Sequence, residues 1–593
     1  MLFNGLLITL LLQKSVTTKF FIDLIITLLG FAILSISYFG WGWASSRTLK
    51  LDLSSKEKPF VLIWLGWAIT LLLLQVINLL VPITAVSSIF LLVLGTTFAV
   101  IFFRAEFRDH KLPAVPWIFL VLVTIAALWI AVIAMASPTW YDSGLYYFNS
   151  IRWLNERSIV LGLANLHNRL AFNESFFTYV SFLNLYPFFK HGYNLANSFL
   201  WLVLFAECLL PLLKYFSNKD SRNTESSFAS ILPTFFIPIL AYVALTTSVS
   251  SPMSDVASAL LQIMLFIQFV TDIDENLSDK GNNSRLAFIF ILSATAITIK
   301  LSNLSYVLTI CVILLFIRTR FQIPDLKRVF RAIIRLLVLP ALILGIWSLR
   351  GVLSSGCPLY PSTFGCLGVT WAEPTNLVKS DADLITSWAR EPEKTPDQVL
   401  GSWKWLEPWA NGIVHDHQID VMYPFTLSIL AILAGILLFA LSSNKKIDRI
   451  YSLIPLPILA GLIYWFGLAP NPRFAIALFW LLPISVIAVI AKILEASQKY
   501  SRGILLALLL LVNASILWHF VQRPQMFTKF STAGYLPIPT ASLKVKTTLS
   551  GLDVLTPTKS DQCWDSQLPC TPYFNENLNF IDNAVFPEFT TGR

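Results

Sequence analysis

The 593-residue chain is poor in charge, because only 13% of its residues are Asp, Glu, Lys or Arg while 56% are hydrophobic. Soluble domains carry about 25% charged residues, so this composition excludes an ordinary soluble protein, as does the mean hydropathy of +0.68. Cysteine and histidine are also scarce, at six residues each. The cysteines lack the CxxC spacing that is typical of zinc sites.

Motifs for nucleotide chemistry and for common hydrolases are absent from the sequence. It contains no Walker loop, no GxGxxG unit with its acidic partner, no HExxH and no GxSxG. The sequence therefore does not predict a nucleotide-driven pump. Its net charge of +9 does not predict nucleic-acid binding either, since the basic residues gather at the edges of apolar segments.

Long apolar stretches dominate the chain, and a membrane span needs about 20 such residues. We predict an all-α polytopic membrane protein with about 12–14 transmembrane helices, external interfacial helices and a small external C-terminal tail. Residues 1–13 are apolar but short, so they form either a tilted extra span or a signal-like start. The predicted spans are 20–41, 60–83, 85–103, 115–136, 195–213, 228–249, 255–271, 286–302, 303–317, 332–348, 422–442, 451–468, 473–494 and 503–521.

The loops divide into a basic set and a set rich in Trp, Tyr, Asn, Asp and Pro. Lys and Arg near helix ends mark the cytoplasmic face, which makes loops 138–194 and 349–421 external if 173–190 is an interfacial or re-entrant helix. We therefore predict a membrane core, 1–521, and an external appendage, 522–593, in a bacterial inner or plasma membrane with an external or periplasmic active face. Basic clusters lie at Arg47–Lys58, Arg104–Lys111, Lys214–Arg222, Arg318–Arg335, Lys445–Arg449 and Lys492–Arg502.

Four of the six cysteines form two close pairs in the predicted external segments. Cys357 and Cys366 share one loop, and Cys563 and Cys570 share the tail. Close pairs on an oxidising face favour disulfides, whereas the alternative is that they are free, small apolar side chains.

A polar segment follows the span that ends near Ser137. If it is helical, then Asp142, Tyr146, Asn149, Trp153 and Glu156 share one face. The alternative is a capping box, in which Asp142 only satisfies backbone donors. The candidate substrate-binding residues of this segment are Tyr146, Asn149, Arg152, Glu156, His167 and Arg169.

Further candidates lie at predicted outer ends of spans, namely Asp255, Lys300, Arg350 and Arg473. Asp255 could instead complement a helix dipole, and Lys300 could reach lipid headgroups. Cations and carboxylates that face one cleft suit a phosphate leaving group and a proton acceptor. The run from His415 to His417, followed by Asp420, resembles a metal site, but such residues are common before a span, and we predict no metal.

These residues carry a resemblance to a known superfamily. The Asp142 segment, Ser251–Asp255, Ile299–Ser302 and Pro472–Phe474 resemble the GT-C superfamily of polytopic glycosyltransferases. The chain is more similar still to an uncharacterised bacterial membrane-protein family of GT-C type. Its sequence resembles that family at Tyr141–Tyr146, Ser355–Ser362 and Cys563–Pro572.

The superfamily resemblance implies an inverting transferase that uses a polyprenyl-phosphate sugar as its donor. Asp142 would be the general base, and Lys300, Arg473 or Arg350 would hold the lipid phosphate. Tyr141 and Ser143 flank Asp142 where many members have a second acid, which makes the metal-dependent oligosaccharyl transferases poor templates. The implied partners are membrane lipids, a lipid-linked sugar donor and a saccharide acceptor, with no nucleic acid and no certain cofactor.

The rival hypothesis is a non-catalytic saccharide or lipid carrier, or an assembly component for envelope polysaccharide. A transporter should carry charged residues or broken helices at mid-span. In this sequence the polar residues cluster at the outer ends of spans, which favours the enzyme.

The predicted topology can be tested with reporter fusions. Fusions after Lys111 and Arg328 should be active only as cytoplasmic reporters, and fusions after Trp153 and Trp371 only as external reporters. Activity of the Trp153 fusion as a cytoplasmic reporter would overturn the orientation.

Overall fold

The computed structural model describes residues 2–52, 58–106, 116–217, 231–246, 249–277, 283–321, 326–441, 449–497, 514, 518, 531–582 and 586–591. Within these ranges ten helices are long and apolar enough to cross a membrane, and three shorter apolar helices accompany them. The predicted all-α polytopic membrane fold is confirmed. The predicted span 503–521 lies almost wholly outside the described residues.

The observed long helices follow the predicted spans closely. The ten long helices and two of the three shorter ones correspond to Leu2–Thr48, Lys58–Leu80, Ala85–Glu106, Trp117–Ala134, Gly192–Ser217, Ser254–Leu277, Asn283–Ile299, Leu304–Phe321, Leu326–Ser355, Tyr423–Leu441, Leu456–Leu468 and Ile476–Ser497.

Shorter elements fill the loops. The segment predicted as an interfacial or re-entrant helix contains Ser175–Leu183, all nine of whose residues are buried inside the protein. The other short helices are Phe148–Glu156, Ile237–Thr246, Thr375–Arg390, Pro396–Val399 and Leu406–Asp416. Two antiparallel hairpins pair Leu543–Thr547 with Asp553–Pro557, and Leu578–Ile581 with Glu588–Thr591.

The first helix runs without a break from Leu2 to Thr48. Residues 2–13 therefore continue the helix that contains the predicted span 20–41 and do not form a helix of their own. At 1.5 Å per residue this helix is about 70 Å long, more than twice the roughly 30 Å thickness of a hydrocarbon core.

The three segments that were predicted to be external meet at one end of the helical bundle, which we call the capped end. Asn165 Nδ2 of loop 138–194 donates to the carbonyl of Trp371 in loop 349–421 at 2.9 Å. The backbone of Leu161 pairs with Pro587 and Phe589 of the tail. Basic residues occupy the last turns of helices at the opposite end, as at Arg47, Arg104 and Lys214.

A network of buried ion pairs joins helices at the end opposite the capped end. Arg318 contacts Asp272 at 2.9 Å, and Arg285 contacts Glu275 at 2.7 Å. Lys492 contacts Asp274 at 2.5 Å. Because a buried charge is costly unless it has a partner, these pairs fix how the helices associate. The sequence analysis treated such cations only as orientation signals and did not find their partners.

The described residues of the tail pack closely onto loop 138–194. Trp564 donates its backbone N–H to Gly144 at 2.8 Å, and the Tyr141 hydroxyl donates to Asp561. His191 stacks on Tyr535 with ring centroids 4.5 Å apart. Hydrogen bonds and aromatic contacts therefore tie the described residues of the predicted appendage to the capped end.

Both predicted disulfides are present. The structure joins Cys357 to Cys366, and Cys563 to Cys570. The second bridge closes the short loop that carries Trp564, which packs on Gly144. The disulfide and the backbone contact together place the tail against the segment that begins at Asp142.

Gly144→Ala tests whether the contact between Gly144 and Trp564 holds the tail against loop 138–194. A Cβ at this position would lie 2.5 Å from the Trp564 ring, whereas a Cβ at Gly368 would meet nothing within 4 Å. Overpacking costs about 1–3 kcal/mol, so Gly144→Ala should speed limited proteolysis of the tail, while Gly368→Ala should not. Equal cleavage rates in the two variants would show that this contact does not hold the tail.

Candidate functional site

Asp142 lies at the start of a π-helical turn, Ser143–Tyr147, that leads into the helix Phe148–Glu156. As the residue before that turn, Asp142 makes no side-chain capping hydrogen bond to it. The Oδ2 atom instead lies 2.8 Å from Nη2 of Arg473. Both side chains are largely buried, at 12% and 21% exposure. The ion pair joins the first polar loop to a turn more than three hundred residues away.

Arg473 lies in the 3-10 turn Pro472–Phe474, where Asn471 Oδ1 accepts a hydrogen bond from its backbone N–H at 3.2 Å. Its guanidinium lies over the rings of Phe474 and Trp388, with centroids at 4.8 and 5.4 Å. Burial disfavours its charge, but the carboxylates of Asp142 and Asp255 outweigh burial and raise the pKa of Arg473 above its usual value. Arg473 is therefore a fixed cation.

A second ion pair lies beside the first. Lys300 Nζ contacts Asp255 Oδ1 and lies 4.4 Å from the centroid of the Phe474 ring. Phe474 therefore contacts both cations. We call Asp142, Arg473, Asp255 and Lys300 the ionic cluster. Asp255 Oδ2 is buried without a hydrogen-bond partner, whereas its Oδ1 pairs with Lys300.

A cavity of about 270 Å³ adjoins the ionic cluster, and we call it the first cavity. Asp255 and Arg473 supply charged groups to its lining, and His417 and Asp420 supply others. Most of the remaining wall is apolar, with Leu245, Met253, Val256, Ala259 and Ile476. Such a mixture of apolar walls and a few convergent polar groups is typical of ligand sites.

The side chains of His415, His417 and Asp420, which resembled a metal site in the sequence, do not come together in the structure. His417 Nδ1 lies 3.4 Å from Asp420 Oδ2, and the Tyr242 hydroxyl donates to Asp420. His415 lies apart from them, because its Nδ1 contacts the Asn411 carbonyl at 2.8 Å. Across the described part of the chain, no group of three or more His, Cys, Asp or Glu residues could hold a metal ion.

The five residues between Asp142 and Glu156 that were predicted to share one helix face do not do so. A π-turn adds a residue to one helical turn, so the residues after it are rotated relative to an α-helix. Tyr146 and Asn149 are buried, and neither amide atom of Asn149 has a hydrogen-bond partner. Glu156 binds Arg152 at 2.7 Å, and Arg152 also reaches the Asp565 carbonyl. Arg152 and Glu156 therefore face the tail and not the ionic cluster.

The other predicted residues lie near the cluster but outside it. His167 is buried against Tyr573, with ring centroids 5.1 Å apart, and burial lowers its pKa to about 3. Arg169 and Arg350 line a second, smaller cavity. The structure thus groups Asp142, Asp255, Lys300 and Arg473. Arg350, which was proposed with Lys300 and Arg473 as a ligand of the lipid phosphate, lies outside this group.

Glu174 is a polar residue to which the sequence analysis gave no role. Its Oε2 atom is buried without a hydrogen-bond partner. Burial raises its pKa to about 7, although Lys300 opposes that shift. A carboxyl group that titrates near neutrality is a functional candidate. Only its position next to the polar stretch after Asn165 could have suggested it, because its environment is tertiary.

Comparison with known proteins yields one family. The family described as a domain of unknown function (DUF8201) matches residues 24–480, which include the whole ionic cluster. No curated protein and no solved structure matches the chain.

The ion pair between Asp142 and Arg473 can be tested by a double-mutant cycle. Removing one partner of a buried pair costs about 3–5 kcal/mol because the other charge stays buried, so Arg473→Gln should lower the thermal stability of the purified protein markedly. Adding Asp142→Asn should recover part of that loss. The matched control is Arg157→Gln, whose partner Asp582 is 57% exposed, and it should change stability by less than about 1 kcal/mol. Strictly additive losses for Asp142 and Arg473 would contradict the pairing.

Proposed function

The chain belongs to the DUF8201 family, and we propose that it is a glycosyltransferase that moves a sugar from a polyprenyl phosphate to a glycan or a lipid-linked acceptor. The observation that carries this proposal is the ionic cluster beside the first cavity. Two cations and two carboxylates lie at the capped end, next to a largely apolar wall. A lipid with a phosphate head requires these two kinds of surface together.

In the proposed mechanism the cations hold the donor phosphate. Arg473 presents a planar guanidinium that suits two phosphate oxygens, and Lys300 adds a second positive charge. The phosphate competes with Asp142 for Arg473, so binding of the donor would release the carboxylate. The isoprenoid chain would lie along Met253, Val256 and Ile476. Donor binding and activation of the base are thereby coupled.

The chemical step replaces one bond to the sugar with another. The acceptor hydroxyl oxygen attacks the anomeric carbon from the side opposite the phosphate, and its proton passes to the Asp142 carboxylate. The bond between the anomeric carbon and the phosphate oxygen breaks, and its electron pair leaves with the polyprenyl phosphate. Fixed cations lower the barrier because they stabilise the charge that grows on the leaving oxygen. The product glycoside has an inverted anomeric centre.

The proposed location is the external face of the membrane. Basic residues end several helices opposite the capped end, and such residues mark the cytoplasmic side. Both disulfides lie at the capped end, which fits an oxidising compartment. Together these features support an outward-facing site, and the membrane we propose is a bacterial inner or plasma membrane.

The test is sugar transfer by purified variants. Asp142→Asn should lower transfer at least about 100-fold, the usual contribution of a general base. It should not weaken binding of polyprenyl phosphate, because Arg473 remains and loses the carboxylate that competes for it. Lys300→Ala should weaken that binding. Asp553→Asn alters an exposed carboxylate of a tail hairpin and should change neither. The donor can be identified by mass spectrometry as the polyprenyl-linked sugar that accumulates when the gene is deleted.

Two outcomes would contradict the proposal. If Asp142→Asn transferred sugar at the wild-type rate, Asp142 would not be the general base. Binding of polyprenyl phosphate without any turnover, and without lipid-linked sugars accumulating in the deletion strain, would favour the carrier hypothesis.

A further inference from the structure

A second cavity of about 50 Å³ lies beneath the loop that carries Asp142. Its lining includes Trp153, Arg169, Glu174 and Arg350 and shares no residue with the lining of the first cavity. Buried Tyr146, four residues after Asp142, packs on Phe172 and Phe177 of the second lining. The two cavities therefore have separate linings.

Arg350 is an exception among the buried arginines. Arg285 and Arg318 are each 7% exposed, and each binds a carboxylate. Arg350 is only 4% exposed, yet its Nη1 donates to two neutral oxygens, Asn78 Oδ1 at 3.1 Å and the Gln75 carbonyl at 3.3 Å. No carboxylate of the described residues forms an ion pair with it. A buried guanidinium without an anion is costly.

Two more donors line the same cavity. Arg169 has no carboxylate within ion-pairing distance among the described residues, and its guanidinium lies over the Phe172 ring with the centroid at 5.5 Å. Trp153 Nε1 is buried without a hydrogen-bond partner, and an indole N–H can only donate. Two guanidinium groups and an indole thus line the cavity, and Glu174 is the one carboxyl group among its described lining residues. Since neither arginine forms an ion pair with Glu174, a ligand with several acceptor oxygens would complete the site.

The volume sets the size of that ligand. A water molecule needs about 10–15 Å³ of such space, so a cavity of about 50 Å³ holds a few waters or one small oxyanion. A sugar ring or an isoprenoid chain would not fit. Part of Arg169 is exposed, which places one donor at the boundary with solvent.

We propose that the second cavity binds an oxyanion, a phosphate or carboxylate group to which Arg169, Arg350 and Trp153 donate hydrogen bonds. The group would belong to a larger acidic ligand or be a free ion. This inference does not depend on sugar transfer, because it concerns residues outside the ionic cluster. If the proposed transferase activity is real, the site would hold an acidic group of the acceptor near Asp142.

Glu174 should make this binding depend on pH. Lys300, Asp255 and Asp142 act on its carboxyl group electrostatically, and burial raises its pKa to about 7. Below that pH Glu174 is neutral and can donate a hydrogen bond, whereas above it the carboxylate repels an anion. His167, whose pKa is lowered to about 3, stays neutral throughout. Anion binding should therefore be tighter at pH 6 than at pH 8.

The experiment titrates the full-length purified protein with sulfate at constant ionic strength and follows the thermal unfolding temperature. Sulfate is chosen because it does not change its protonation between pH 6 and pH 8. The wild-type protein should be stabilised in a saturable way, more strongly at pH 6. Arg169→Gln and Arg350→Gln should weaken the apparent affinity at least tenfold, and Trp153→Phe, which keeps the ring but removes the N–H, should weaken it severalfold.

Controls separate this site from others. Arg157→Gln alters an exposed cation and should leave the sulfate response unchanged. Arg473→Gln removes the main anion-binding group of the ionic cluster. This variant should still be stabilised by sulfate, because the second cavity is unchanged. Glu174→Gln should abolish the difference between pH 6 and pH 8. A parallel titration with acetate distinguishes a carboxylate from a phosphate-like ligand as the better occupant.

The proposal fails if the wild-type protein shows no saturable response to either anion. It also fails if the response persists in Arg169→Gln and Trp153→Phe, both of which retain Arg350 and are expected to fold. A response that disappears only in Arg473→Gln would assign anion binding to the ionic cluster and overturn the second site.

Discussion

The constraint on which the site depends is that charge buried in a low-dielectric interior needs a partner. Asp142 and Arg473 satisfy each other across more than three hundred residues of sequence, and Asp255 and Lys300 do the same beside them. These pairs hold the first polar loop, the start of Ser254–Leu277 and the turn before Ile476–Ser497 in one place. Because carboxylates neutralise both cations, an anionic ligand must compete with them. The same contacts that stabilise the capped end would therefore regulate access to Arg473.

The helices were predictable because span length and apolar composition are local properties. Thirteen predicted spans correspond to observed helices, and the loops that were grouped by composition meet at one end of the bundle. Asp142, Asp255, Lys300 and Arg473 were also chosen correctly as neighbours, because the alternation of spans brings their helix ends to the same side. Topology therefore located the cluster without any knowledge of side-chain contacts.

Other features could not be predicted because they arise from tertiary packing. The π-turn at Ser143–Tyr147 rotates Arg152 and Glu156 toward the tail, and nothing in the residue pattern marks that turn. The contacts of the tail were not predictable either: Trp564 packs on Gly144, and Phe589 pairs with Leu161. The raised pKa of Glu174 depends on surroundings that come from several separate segments.

The central claim is that the first cavity receives a polyprenyl phosphate with its head at Arg473 and Lys300. The most direct measurement is photo-crosslinking of the protein in membranes with a photoreactive polyprenyl phosphate, followed by mapping of the labelled peptides. The account predicts labels on peptides that contain Met253, Val256 and Ile476, and their loss when unlabelled polyprenyl phosphate is added in excess. Labels confined to other helices, or labelling that excess lipid does not reduce, would contradict it.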